Sequence, residues 1–282
     1  MEGRESSVNP VTKLLHPPRY ELMPFESFHE QIYHLPDDAI VTVTASPQKP
    51  IEATIEYTLA AKEAGFPAIP HIAARMIRDR DHLDSIASRI KDAGISDIFV
   101  PGGDLEEPEG EYESALDLLE ELELLGIEFE EVGITGYPEG HPEIPPNVLA
   151  QAMERKAPYA SYIVTQICYD PHRIIAWIDE IRDRGVSLPV YIGMPGVMRY
   201  QKLIGISRRV GVGQSIRFIQ KTSGIMEFIR EAIGSRGTFY PDDIIDGLAT
   251  VSMDPHYNIA GTHLYSFNRT QDTEAWRTQR MH

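Results

Sequence analysis

The sequence predicts an α/β chain folded as a single-domain (β/α)8 TIM barrel, and three observations carry that prediction. Apolar runs of strand length alternate with helical patterns eight times within 282 residues. A helix, a glycine, a short loop and a strand recur at Gly65, Gly94, Gly126 and Gly185, each glycine standing where a helix end needs a left-handed residue. Successive units lie about 30 residues apart, the length of one βα unit. An open doubly wound sheet would need fewer strands and a glycine-rich phosphate turn. Gly211-Val-Gly213 lacks the third glycine and follows no convincing strand, and there is no P-loop sequence.

In chain order, residues 1–17 read as an irregular arm and residues 18–282 as the barrel. Tyr20–Pro24 is the first strand, followed by a helical pattern over Phe25–Leu35. Ala39–Ser46, rich in β-branched residues, is the second strand, with a helix over Ile51–Ala64. Ala68–Ala74 is the third, with a helix over Asp79–Ala93. The fourth strand, Asp97–Val100, runs into Pro101-Gly-Gly-Asp104, and a helix over Glu111–Leu125 follows. Glu131–Tyr137 is the fifth, with a helix over Asn147–Ala157. Tyr162–Cys168 is the sixth, with a helix over Arg173–Arg184, and Pro189–Met194 is the seventh. Tyr200–Asp254 reads as helical pieces punctuated by Gly211, Gly213, Gly224, Gly237 and Pro241; Thr262–Phe267 is the eighth strand, and the tail after Arg269 is polar.

Composition narrows the function classes. A net charge of −17 argues against a nucleic-acid partner, which would need clustered Lys and Arg, and against anionic membranes. Lysines stand only at 13, 49, 62, 91, 156, 202 and 221; an acidic, lysine-poor surface suits concentrated salt, and an ordinary acidic protein reads the same way. No apolar run approaches the roughly 18 residues of a membrane span. The segment Met1–Arg19 is too polar for a signal peptide, and Cys168 is the one cysteine, so a cytoplasmic enzyme without disulfides is expected.

A barrel builds its active site at the C-terminal ends of its strands. Those tips carry Glu21, Thr44, His71, Asp104, Tyr137 with Glu139 and His141, Gln166, and Tyr265 with Asn268. Gly102-Gly103 lets backbone approach a ligand beside Asp104. Each residue also has a plainer reading: Glu21 as a helix cap, His71 as a satisfied core histidine, His141 as a loop residue, Thr44 and Gln166 as bonds to neighbouring strand ends. Together they favour a site.

The order of motifs resembles the 5,10-methylenetetrahydrofolate reductase family. Tyr20-Glu21-Leu-Met-Pro24, Val43-Thr44, Pro70-His71 and Gly102-Gly103-Asp104 are similar to its first four strand ends. Tyr137-Pro-Glu-Gly-His141-Pro-Glu143 is the most distinctive match, followed by Thr165-Gln166 with Tyr169-Asp170, and Phe267-Asn268-Arg269. The resemblance implies an enzyme of one-carbon metabolism that reduces a methylene bridge on tetrahydrofolate to a methyl, with NADH or NADPH as reductant through bound FAD. It implies Glu21 as general acid, opening the ring to an iminium cation that the charge of Asp104 favours. It places Asp104, Gln166, Tyr200 and Arg269 on the folate, and Thr44, His71, Gly102, Gly103, Asp104, Tyr137, His141, Arg155 and Lys156 on FAD. The family's polar flavin contacts are replaced at Gly102, Leu149 and Ala152, so a flavin-free relative passing hydride directly from NADH is an alternative. A metal-dependent hydrolase or lyase using His71, His141, His263, Glu21 and Asp104, and a non-catalytic binding protein, are the other classes. A homo-oligomer is expected.

Overall fold

The computed structural model describes residues 9–209 and 237–282. Eight parallel strands form one sheet: β1 (Arg19–Leu22), β2 (Ile40–Val43), β3 (Ala68–Pro70), β4 (Asp97–Val100), β5 (Glu131–Gly136), β6 (Tyr162–Thr165), β7 (Val190–Pro195) and, after two short strands named below, β10 (Ile259–Tyr265). Their spatial order is β3-β2-β1-β10-β7-β6-β5-β4. A parallel bridge between His71 and Phe99 joins the two ends, with Ile72 N donating to Phe99 O at 2.8 Å and Ala74 N to Pro101 O at 3.0 Å. Through that bridge the sheet closes into the expected (β/α)8 barrel.

The helices are α2 (Phe28–Ile32), α3 (Ile51–Glu63), α4 (Arg80–Asp92), α5 (Ala115–Leu124), α6 (Pro146–Lys156) and α7 (Pro171–Asp183), then α8 (Tyr200–Arg209) and α9 (Asp242–Ala249). Their ends follow the caps. Asp79 accepts the His82 amide at 2.8 Å, and Ser114 with Asp117 forms a reciprocal capping box. That box starts α5 at Ala115 rather than Glu111. The four predicted glycines all have positive φ, from +64° at Gly126 to +96° at Gly65.

Each strand is double-faced. Leu22, Val41, Val43, Ile98, Val100, Ile134, Ile163, Ile192 and Leu264 pack in one core with Ile55, Leu83, Ile86, Leu118 and Ile178 of the helices. Burying each such side chain stabilises by roughly 1.5–3 kcal/mol. A second, smaller cluster of Ile40, Ile69, Phe99, Tyr162, Val164 and Tyr191 fills the barrel itself.

Several sequence expectations are corrected. The arm is not irregular throughout: α1 (Pro10–Leu15) is capped by Asn9, buries Leu14 and Leu15, and receives the Thr262 hydroxyl on Leu14 O at 2.8 Å. The last strand begins at Ile259, not Thr262. The polar tail is a helix, α10 (Thr270–Met281), which buries Thr270, Thr273, Trp276 and Arg277. A two-stranded antiparallel ribbon of β8 (Met198–Arg199) and β9 (Thr238–Phe239) interrupts the region read as helical. The glycine-punctuated pieces expected between 210 and 236 lie outside the described residues. Among the described residues no helix is long and apolar enough to cross a membrane.

Candidate active site

Strand alternation sets the site. In β1, Tyr20 points outward, where its hydroxyl donates to Glu274 of α10 at 2.8 Å; Arg19 and Glu21 therefore face the interior. Parallel register sets Arg19 beside His263 and Ile40, and Glu21 beside Tyr265 and Thr42.

Residues that begin strands make the barrel floor. The Arg19 guanidinium lies between the rings of Tyr162 and Tyr191, 4.4 Å from each centroid. It donates to the Tyr162 hydroxyl at 2.6 Å and to Asp97 at 3.3 Å, while that hydroxyl donates to Asp97 at 2.8 Å. Burial pushes the Asp97 carboxyl up to about 6, against the pull of Arg19 and Tyr162. Gly133 leaves room for the Tyr162 ring, since a β-carbon there would stand 2.3 Å from it.

The mouth lies above. Glu21 Oε2 is 3.2 Å from His263 Nε2 and 3.7 Å from His71 Nε2, and its side chain is 15% exposed. Burial raises the Glu21 pKa from 4.5 to about 6; His71 opposes the rise, the charge of Asp104 adds to it, and a bond from Thr44 opposes it. Burial pushes His71 down to about 4 despite the pull of Glu21, and burial with Arg19 pushes His263 well down. Both contacts to Glu21 are therefore made by uncharged imidazoles at neutral pH, so the Glu21–His263 contact is a hydrogen bond and not an ion pair. Tyr265 caps the layer: its hydroxyl donates to Thr165 O at 2.9 Å, and burial, Glu21 and Tyr137 all raise its pKa. Tyr137 is raised by burial, opposed by Thr135, and raised further by Asp104.

The fold thus brings Glu21, Thr44, His71, Asp104 and Tyr137 to one rim from β1 to β5. Asp104 is exposed there, held behind by Gly103 at φ +100°, and Gly102 O accepts the Arg75 amide at 2.9 Å. His141 meets the Tyr137 ring edge-on at 5.5 Å and accepts the Glu143 amide. Gln166 follows β6 with the inward parity of Tyr162 and Val164, its Oε1 accepting the Ile167 amide at 3.1 Å. Lys156 is buried, its Nζ 3.4 Å from Thr135 Oγ1, and burial lowers its pKa to about 8.

Other predicted residues stand apart. Arg155 reaches outward to Glu120 at 3.3 Å. Tyr200 is 7% exposed, set edge-on to Phe239, which also meets Tyr169. Arg269 is exposed at the start of α10. Asn268 fastens a loop: it accepts the Met23 amide at 2.8 Å and donates to Met23 O and Ser27 Oγ. Among the described residues no group of three or more His, Cys, Asp or Glu is placed to hold a metal ion.

Sequence reasoning missed three residues here. His263 figured only as a metal ligand, and Arg19 not at all, although both share interior parity with recognised tip residues. Arg75 holds the loop beyond Asp104, donating to the carbonyls of Leu105, Glu106 and Glu113.

Comparison with known proteins adds the decisive observation: a family model, methylenetetrahydrofolate reductase, matches residues 16–275. The chain belongs to that family. It is 27% identical over 167 residues to methylenetetrahydrofolate reductase 2 of Saccharomyces cerevisiae, covering 57% of this chain and 26% of that one. It is 30% identical over 135 residues to methylenetetrahydrofolate reductase 1 of Schizosaccharomyces pombe, covering 45% and 22%. It is 26% identical over 149 residues to methylenetetrahydrofolate reductase (NADH) 1 of Zea mays, covering 46% and 25%. The match therefore spans about a quarter of each relative's length. A solved GH18 chitinase from Pseudoalteromonas aurantia aligns with a TM-score of 0.48 at 12% identity, covering 93% of this chain and 99% of that one.

Proposed function

We propose that this chain reduces 5,10-methylenetetrahydrofolate to 5-methyltetrahydrofolate with hydride from NADH or NADPH, in the cytoplasm. The observation that carries the reading is Glu21: in a member of this family, a buried carboxyl at the barrel mouth keeps a pKa of about 6. A general acid works best when its pKa lies near the operating pH. Glu21 delivers its proton to N10 as the five-membered ring opens, and the His263 imidazole, 3.2 Å away, stabilises the carboxylate left behind. The charge of Asp104 at the same rim favours the iminium cation over the neutral ring. Gln166 is assigned to the folate by its inward place after β6, and Tyr200 and Arg269 by family position.

FAD, when bound, supplies a two-electron relay between nicotinamide and folate. The fit rests on Lys156, a buried cation whose hydrogen bond to Thr135 satisfies one of its three donors and gives it no counter-charge. A pyrophosphate beside it would restore one. Thr44, His71, Gly102, Gly103, Tyr137 and His141 would line the rest. Gly102, Leu149 and Ala152 offer no polar side chain, and Arg155 is engaged with Glu120, so the cradle is thinner than the family pattern implies.

The test is product analysis. Purified protein with methylenetetrahydrofolate and either nicotinamide should form 5-methyltetrahydrofolate in step with nicotinamide oxidation. No product with either reductant, with or without added FAD, overturns the assignment. Turnover by colourless, flavin-free protein removes FAD and leaves the reductase.

A further inference from the structure

Among the described residues, two buried nitrogens are left without a partner on facing residues at the heart of the barrel. Arg19 is 3% exposed and His263 is 1% exposed; they stand opposite each other in the β1–β10 register, and Arg19 Nε and His263 Nδ1 have no hydrogen-bond partner among the described residues. The other ring nitrogen of His263 is on Glu21. A buried guanidinium remains charged, so its field acts on the imidazole beside it.

We propose that Arg19 is a positioning residue for the Glu21 proton: its guanidinium, clamped between Tyr162 and Tyr191, holds His263 as an uncharged hydrogen-bond partner of the Glu21 carboxyl. The clamp, the Tyr162 hydroxyl and Asp97 hold the cation where it is. Arg19 pushes both His263 and His71 toward the neutral form, adding to burial. Glu21 itself is shifted first by burial, with His71, Asp104 and Thr44 behind it. Among the described residues, the charged and titratable groups facing His263 are Arg19 and Glu21 of β1, His71 beyond β3, Tyr265 of its own strand, and, across the floor, Asp97, Tyr162 and Tyr191. Were His263 an imidazolium, a positive charge 3.2 Å from Glu21 would hold the carboxyl ionised. Opposite charges at that range lower a carboxyl by about 1–3 pH units, and Glu21 would then have no proton to give at neutral pH.

The inference rests on the reductase reading for its kinetic arm alone; its spectroscopic arm needs no reaction. His263 in the full chain is followed by nitrogen–proton NMR, its signal assigned with His263→Gln. In the wild type it should gain its proton only well below the usual histidine value. Arg19→Met paired with Asp97→Asn removes the cation and its counter-charge together; there His263 should gain a proton at higher pH. The falling limb of kcat should move to lower pH by about 1–3 units, cutting kcat at about pH 7 tenfold or more, with the KM for folate unchanged. Arg19→Lys, which keeps the charge, should restore the limb. A wild-type His263 that titrates near the ordinary value overturns the proposal without any variant. So does a folded double variant whose His263 and kcat limb both stay in place.

Discussion

Replacing Glu21 by glutamine should change stability in a pH-dependent way whose sign and size follow from the site. Burial raises the folded-state pKa from 4.5 to about 6, so ionising Glu21 costs the folded protein about 2 kcal/mol relative to the unfolded chain. Below about pH 4.5 the carboxyl is protonated in both states and nothing is lost. As pH rises through 4.5 to 6, the unfolded chain ionises freely and the folded one resists, so wild-type stability falls across that window. Glutamine keeps the shape and does not titrate. Glu21→Gln should therefore gain on the wild type by about 2 kcal/mol between about pH 4 and pH 8, or about 4 °C in Tm for a chain of this size. Urea unfolding of both proteins at the two pH values measures it. An equal stability gap at both ends, or a gap that shrinks as pH rises, would show that Glu21 is not held protonated by its surroundings.

Two further consequences follow from the geometry. Lys156→Met should weaken FAD binding at least tenfold, read by flavin titration, because it removes the one buried cation assigned to the pyrophosphate; unchanged flavin affinity would take Lys156 out of that role. Gly133→Ala should cost about 1–3 kcal/mol of stability, read as a lower urea midpoint, since its β-carbon would stand 2.3 Å from the Tyr162 ring beneath Arg19; a variant as stable as the wild type would mean that ring can move aside.

The barrel was legible because its signals are local and repeated. β-branched strands, capped helices and Gly65, Gly94, Gly126 and Gly185 are each fixed by neighbouring residues. The misses have physical causes. The ribbon of Met198–Arg199 with Thr238–Phe239 is two residues per strand, too short to show a period, and its pairing is long-range. The last helix buries Thr270, Thr273 and Arg277, polar groups satisfied by Gln31, by Val197 and Arg269, and by Glu274 and Leu15, so hydropathy reads it as tail. Asn9 and Pro10 were cap signals for the first helix, hidden in a polar stretch. At the site, the tip rule named Glu21, His71 and Asp104, which the fold sets at one rim. It overlooked Arg19 and His263 because a strand's interior below the tip is expected to be apolar, whereas here Arg19 lies between two aromatic rings beside Asp97 and His263 bonds Glu21. Strand parity, counted back two residues from Glu21 and Tyr265, would have found both.

The most direct measurement is the rate of 5-methyltetrahydrofolate formation by wild type and Glu21→Gln across pH, with folate affinity determined in parallel. The wild-type rate should fall as pH rises through about 6, and the variant should lose roughly a hundredfold or more while binding folate within a few-fold of normal. A variant that turns over at the wild-type rate, with the same pH dependence, would contradict the assignment of the proton to Glu21.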